Sequence, residues 1–224
     1  MMAESEERNK FKKLAGQLHC PSGDDGIKTA DQMAQSNSNM ISQTIQSLKI
    51  GPDDIILEIG PGNGSHLPEI LSLNGTVRYN GVDISSTMVN EAIKLNQLPI
   101  QQGRADFGLS DGDFLNFKDA IFTKVFSVNT LYFWQHPVAY AREILRVLIS
   151  GGHLYLTFAS RDFMEKLPFT AYNFKLYHVS EVSDILKSAG FELGNLSSFT
   201  EKIRSNAGMD VEREFYILEA KKPE

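Results

Sequence analysis

Three glycines at alternate positions, Gly60, Gly62 and Gly64, follow the apolar run Ile55–Ile59 in "ILEIGPGNGSH". Glycines between a strand and a helix adopt backbone angles closed to other residues and let a ligand approach the main chain. The spacing is G-x-G-x-G. A dinucleotide fingerprint, G-x-G-x-x-G, would place its third glycine where Ser65 stands. No Gly-Lys-Ser/Thr follows, so the turn is not a P-loop. Three carboxylates sit at or just beyond the ends of apolar runs: Glu58, Asp83, and Asp113 in "SDGDF". Glu58 would repel a pyrophosphate and attract an ammonium group, directly or through water. Asp83 can accept both hydroxyls of a ribose. Asp113 can take the exocyclic amine of adenine with Phe114 against the ring, a role for which Asp111 competes. Together these groups describe an adenosine that carries an amino acid rather than a dinucleotide. Each also has a bland alternative: a tight turn, a buried acid held by backbone donors, a helix cap ahead of Ser85.

The elements that position these residues alternate. Phe11, Leu14 and Leu18 give an amphipathic helix within residues 1–20; "PSGDDG", residues 21–26, is a turn-rich break; residues 28–48 are helical again and end at Gly51-Pro52. Strands are expected at Ile55–Ile59, Val77–Val82, Phe107–Leu109, Lys124–Val128 and Leu154–Phe158. Helices are expected at Ser65–Leu73, after Ser85, at Val138–Leu148 and at Val182–Ala189, the last closed by Gly190. Two late runs, Phe191–Leu196 and Phe215–Ala220, are separated by a polar stretch. Such alternation predicts a parallel sheet covered on both faces, with ligands beyond the carboxyl ends of its strands. The chain divides into an N-terminal helical extension, 1–49, and a single globular unit, 50–224.

Composition narrows the function classes. The 224 residues can bury a sizeable core, and the net charge of -6 speaks against a broad nucleic-acid-binding face. Cys20 is the only cysteine, so no intramolecular disulfide and no cysteine-rich metal site is expected. His19–Cys20 alone does not make a metal site. The N-terminus is charged without an apolar core, and no run is long enough to span a bilayer, which places the protein in the cytoplasm by expectation.

With these motifs in order, the sequence resembles the class I S-adenosylmethionine-dependent methyltransferases, in particular the methyltransferase type 11-like group that acts on small molecules. "ILEIGPGNGSH" resembles the family's first motif, "GVDIS" the acidic end of its second strand, "GDF" its adenine motif, and "REILRVLISGGHLYLTF" the helix and strand after the fourth strand. The resemblance covers roughly residues 50–160. It implies a Rossmann-like seven-stranded α/β sheet whose last strand, "EREFYILEAKK", runs antiparallel beside "FELGNLSSF", and an N-terminal helical lid. It implies S-adenosyl-L-methionine as cofactor, S-adenosyl-L-homocysteine as product, and a binding set of Glu58, Gly60, Pro61, Gly62, Asn63, Gly64, Asp83, Ile84, Asp113, Phe114 and Asn129. Gln17, His19, Ser22 and Met40 are candidate lid residues.

The chain departs from the family in three places. The fourth strand ends in Asn129-Thr130-Leu131-Tyr132 rather than the Asn/Asp-Pro-Pro-Tyr/Phe of enzymes that methylate DNA bases or protein glutamine. Thr123 replaces an aspartate at the start of that strand, and Ile149-Ser150 replaces Lys-Pro. A small-molecule acceptor is the expected partner. Its pocket is expected around Tyr132, Phe133 and Trp134 and in the aromatic segment 160–178. Candidates for a catalytic base are His136, Tyr132, Tyr172 and His178, none forming a dyad. The rival functions are a cofactor-binding sensor without turnover and a nicotinamide oxidoreductase.

Overall fold

The computed structural model of the chain describes residues 2–204 and 210–224. Seven strands form one sheet: β1 Ile55–Ile59, β2 Arg78–Asp83, β3 Ala105–Leu109, β4 Phe122–Val128, β5 Leu148–Ala159, β6 Glu192–Arg204 and β7 Asp210–Lys221, in the order β3-β2-β1-β4-β5-β7-β6. The pairs β1–β2, β2–β3, β1–β4 and β4–β5 are parallel, and β7 lies antiparallel between β5 and β6. The seven-stranded, mostly parallel sheet with an antiparallel last strand is therefore as the sequence implied. Strand order reverses between β1 and β4, which opens a crevice at their carboxyl ends.

Both faces of the sheet are buried, which is why its central strands read as nearly continuous apolar runs. Alternate residues serve opposite cores. Leu57, Ile59, Val125, Leu154 and Leu156 pack with Trp134, Ile144 and Leu186 on one side. Ile56, Phe126 and Tyr155 pack with Met40, Ile45, Ile70 and Phe215 on the other. The covering helices are α4 Leu67–Leu73, α5 Ser86–Leu95, α6 Gln97–Gln101, α7 Pro137–Val147, α8 Arg161–Met164 and α9 Val179–Ala189. Ser85 caps α5 by accepting the Met88 N–H, and Gly190, at φ 107°, closes α9.

Three helices precede the sheet: α1 Met2–His19, α2 Gly23–Ser36 and α3 Ser38–Ser47. The expected break at 21–26 is only an elbow at Pro21. Gly23 starts α2, whose first turn holds Asp24 and Asp25, favourable at a helix N-terminus. Gly26 sits inside that helix because a Cβ there would lie 2.7 Å from the carbonyl carbon of Pro21. The single helix expected over 28–48 is two, broken at Asn37 (φ −98°, ψ 2°).

Other boundaries move for local reasons. The helix expected from Ser65 begins at Leu67, α6 has no counterpart in the sequence reading, and Leu148 opens β5 instead of closing α7. The polar stretch between the late runs is largely hairpin: β6 and β7 pair as far as Arg204↔Asp210. Its inward residues, among them Phe199, Glu201 and Ile203, alternate with exposed ones. Thr123 donates to the Asp54 carboxylate at 2.7 Å and accepts the Ile55 N–H at 3.1 Å. Burial works to raise the Asp54 pKa, but hydrogen bonds from Thr123, Gly51 and Lys124 outweigh it, and the net shift is downward. The threonine thus holds two strand starts together.

Candidate active site

The crevice between β1 and β4 contains a cavity of ≈ 330 Å³. Glu58, near the end of β1, is 2% exposed. Tyr79 donates to its Oε2 at 2.5 Å, and His66 Nε2 meets the same oxygen at 2.7 Å. Burial pulls the His66 pKa down, but the Glu58 charge and hydrogen bond, with Glu69 nearby, prevail and raise it. Both contacts fall on Oε2, so they do not consume Oε1. The glycine turn then bends away. Gly60 has φ 76°, and a Cβ there would collide with Thr130 across the strand gap. Gly62, at φ 57°, has no atom within 4 Å of where a Cβ would stand, so bare backbone faces the cavity.

Asp83 closes β2 on the same wall. Its Oδ2 accepts the Gly62 N–H at 3.1 Å and its Oδ1 the Ser85 N–H at 2.9 Å. These bonds aim the carboxylate along the cavity. Burial pushes its pKa up to about 6, against the pull of the backbone donors. Beyond β3 the loop 110–114 completes the wall. Asp111 Oδ1 accepts the N–H groups of Asp113 and Phe114 at 2.9 and 2.8 Å. Asp111 thus shapes the turn, and Asp113 lines the cavity beside Ile84.

The fourth wall comes from β4 and the N-terminal helices. Asn129 has φ 59°; its amide donates to Asn37 Oδ1 at 3.2 Å, and its Oδ1 accepts from the Tyr132 hydroxyl at 3.1 Å. Helix α2 brings Ala30, Met33 and Ala34 over the opening, with Asn37 just beyond its end. Several contacts fix it there. Asn63 donates to Asp31 at 3.1 Å, the Ser85 hydroxyl donates to the Pro21 carbonyl, and the His19 ring stacks on Phe133 at 4.7 Å. Arg213 of β7 is 4% exposed; it donates to Asn37 Oδ1 at 2.8 Å and Ser36 O at 2.7 Å and pairs with Glu201 at 2.6 Å.

A smaller cavity of ≈ 70 Å³ lies beyond Phe133, lined by Tyr132, Phe163, Met164, Leu167, Phe169, Phe174 and Arg213 among others. Leu18, Met33, Asn37, Asn129 and Phe133 belong to both cavities.

The first cavity gathers Glu58, Gly60, Pro61, Gly62, Asn63, Asp83, Ile84, Asp113 and Asn129 from the sequence-derived set. It does not gather Gly64, whose missing Cβ makes room for Phe107 and Asn96. Nor does it gather Phe114, which is 54% exposed with Arg146 over its ring at 5.2 Å. His136 and His178 are exposed at the starts of α7 and α9, and Tyr172 stands outside both cavities. The Tyr132 hydroxyl accepts the Ala159 N–H at 2.7 Å, and burial raises its pKa well above the ordinary value. Of the lid candidates, His19 lines the cavity. Gln17 and Ser22 bond each other at the elbow, and Met40 lies in the core. Sequence reasoning missed His66, although it ends the glycine motif, and also Met33, Asn37 and Tyr140, near which nothing in the chain marks a site.

Charge sets the chemistry of this crevice. Glu58, Asp83, Asp111 and Asp113 line it, and among the described residues no lysine or arginine does. A pyrophosphate would meet four carboxyl groups and no lysine or arginine. An adenosine bearing a positive group would meet complementary charge. Fold and rim together define a Rossmann-like α/β enzyme of methyltransferase architecture.

Comparison with known proteins agrees. Residues 57–156 match the family described as methyltransferase domain. The chain is 28% identical over 163 residues to the uncharacterized methyltransferase YdaC of Bacillus subtilis, covering 71% of this chain and 83% of the relative. A chain of the complex between the Haloferax volcanii Trm112 methyltransferase activator and a methyltransferase superposes with TM-score 0.76 at 18% identity, over 88% of this chain and 94% of that one. A Haemonchus contortus phosphoethanolamine N-methyltransferase, solved with phosphomonomethylethanolamine and S-adenosylhomocysteine, superposes with TM-score 0.69 at 17% identity, over 96% and 61%. Residues 57–156 thus carry a methyltransferase domain, and over most of its length the chain is similar in sequence or fold to methyltransferases.

Among the described residues no helix is long and apolar enough to cross a membrane, and no cluster of His, Cys, Asp and Glu could hold a metal ion.

Proposed function

We propose that the larger cavity binds S-adenosylmethionine and that the protein transfers its methyl group to a small-molecule acceptor. The observation that carries this is the wall itself: an accessible glycine backbone between two buried carboxylates, with further acids and no lysine or arginine around it. Asp83 is assigned the ribose hydroxyls, for which its backbone bonds pre-orient both oxygens. Asp113 is assigned the adenine amine, because Asp111 is already committed to the turn. Ile84, and not Phe114, is assigned the adenine face. Glu58, Gly60 and Gly62 are assigned the amino-acid end.

When bound, S-adenosylmethionine supplies a methyl group already activated on a sulfonium sulfur, which an acceptor lone pair can displace. The protein's task is alignment and exclusion of water, worth up to several kcal/mol of barrier. Helices α1 and α2 serve as the lid. Where the acceptor must lose a proton, His19 is assigned to take it. His19 lines the cavity, and burial lowers its pKa, so the imidazole is neutral at pH 7.

Titration with S-adenosylhomocysteine tests the assignment. Wild type is expected to bind in the micromolar range, and Asp83→Ala to weaken binding about 100-fold, near 3 kcal/mol. Equal affinity in the two proteins would remove Asp83 from the ribose.

A further inference from the structure

We infer that the smaller cavity beyond Phe133 is an acceptor subsite selective for an uncharged molecule built on a single aromatic ring. The inference rests on the donor assignment above. It deepens that assignment by naming the chemical class of the acceptor.

Charge is the first observation. No acidic side chain lines this cavity, and its one charged residue, Arg213, is already engaged. The guanidinium gives Nε and Nη2 to Glu201, Nη1 to Asn37 and Nη2 again to Ser36. An ammonium acceptor entering here would lose water and gain no counter-charge. A carboxylate or phosphate would meet a cation whose charge Glu201 already balances. Either ion carries a desolvation penalty that nothing in the walls offsets. An uncharged ring loses little on leaving water.

The walls are the second observation. Phe133 and Phe174 stand edge to face at 4.7 Å, and Phe169 lies 5.7 Å from Phe174. Phe163, Met33 and Met164 complete a surface of aromatic and thioether groups suited to ring faces and edges. The polar groups gather at the mouth shared with the larger cavity. There Asn129 and Asn37 bond each other, and Tyr132 is tied to Asn129 and Ala159. His19 stands across the Phe133 ring from this mouth. A ring seated with its polar substituent at the mouth would present that substituent toward the donor cavity.

Size is the third. The ≈ 70 Å³ of this cavity is less than the roughly 150 Å³ of an apolar cavity that takes benzene. One ring is accommodated only by extending through the shared mouth into the larger cavity.

Calorimetry on the full chain saturated with S-adenosylhomocysteine decides the matter, with three probes that share a 4-methylphenyl ring: 4-methylphenol, 4-methylbenzoate and 4-methylbenzylammonium at pH 7. The phenol is expected to bind at least tenfold more tightly than either ion. Phe174→Ala is expected to weaken the phenol about tenfold and to leave S-adenosylhomocysteine affinity within twofold. Phe174→Leu, which keeps most of the apolar volume, is expected to fall between. Either ion matching the phenol, or Phe174→Ala binding the phenol as wild type does, would overturn the inference while the donor assignment stands. Failure of S-adenosylhomocysteine itself to bind would overturn the donor assignment and this inference with it.

Discussion

The two cavities meet at Phe133 and share part of their lining, yet their walls are opposite in character. The larger is ringed by Glu58, Asp83, Asp111 and Asp113 without a lysine or arginine. The smaller is aromatic, and its single cation is balanced by Glu201. Acids suit a donor that carries positive charge. An uncharged, apolar chamber beside them suits an acceptor that brings none. One fold thus separates the charged partner from the neutral one by a single ring.

Four measurements break or sharpen this contrast. The largest effect is expected at Arg213. Arg213→Met leaves Glu201 buried without its partner and cuts Asn37 loose from β7, so urea denaturation should show a loss of about 3–5 kcal/mol. A loss below about 1 kcal/mol would mean that the hairpin does not hold the lid junction. Next comes His19. With any acceptor that must lose a proton, His19→Asn should lower kcat about 100-fold. Because burial lowers the His19 pKa, the acid limb of the wild-type profile should fall below the ordinary 6.5. A profile unchanged by the substitution would take His19 out of the proton's path.

Asp83 gives the third effect, in stability rather than rate. Its carboxyl is raised from 3.8 to about 6 in the folded chain. The folded state therefore holds this proton more tightly than the unfolded one. The resulting stabilisation is full below the unfolded value and disappears as pH rises through about 6. Melting of the ligand-free protein from pH 4 to 8, with Asp83→Asn as reference, should show wild type losing roughly 2–3 kcal/mol relative to the variant. A difference independent of pH would show that the carboxyl is solvated. The smallest effect is expected at Phe114. Since its ring lies under Arg146 and outside the cavity, Phe114→Ala should leave S-adenosylhomocysteine affinity within about twofold. A tenfold loss would return Phe114 to the adenine face.

The same contrast explains what could be read from the sequence. The glycine turn, Asp83 and Asp113 each follow a strand within a few residues, so local spacing announces them. The parallel sheet was legible from that same alternation, and its antiparallel last strand from the family resemblance. Gly64 and Phe114 show the limit of motif spacing, since each occupies a motif position yet faces away from the cavity. The chamber beyond Phe133 was legible only in part: the aromatic segment 160–178 stood out in the sequence, but the residues it meets from α1, α2 and β7 carry no such signature. Leu18, Met33, Phe163, Phe169, Phe174 and Arg213 come from separate elements and meet only in the folded chain. His136 and His178 had the right chemistry for a base, but each begins a helix at the surface. The N-terminal elbow was hidden because Gly23 and Gly26 read as a turn. Gly26 instead lets α2 pack tightly against Pro21, and Gly23 takes a positive φ at the helix start.

The most direct measurement is parallel calorimetric titration of the protein with S-adenosylhomocysteine and with NADH. The acid-lined crevice is expected to bind S-adenosylhomocysteine in the micromolar range and NADH at least about 100-fold more weakly, because the pyrophosphate finds carboxylates and no lysine or arginine there. NADH binding as tightly as S-adenosylhomocysteine, or more tightly, would contradict the assignment of that cavity to the methyl donor.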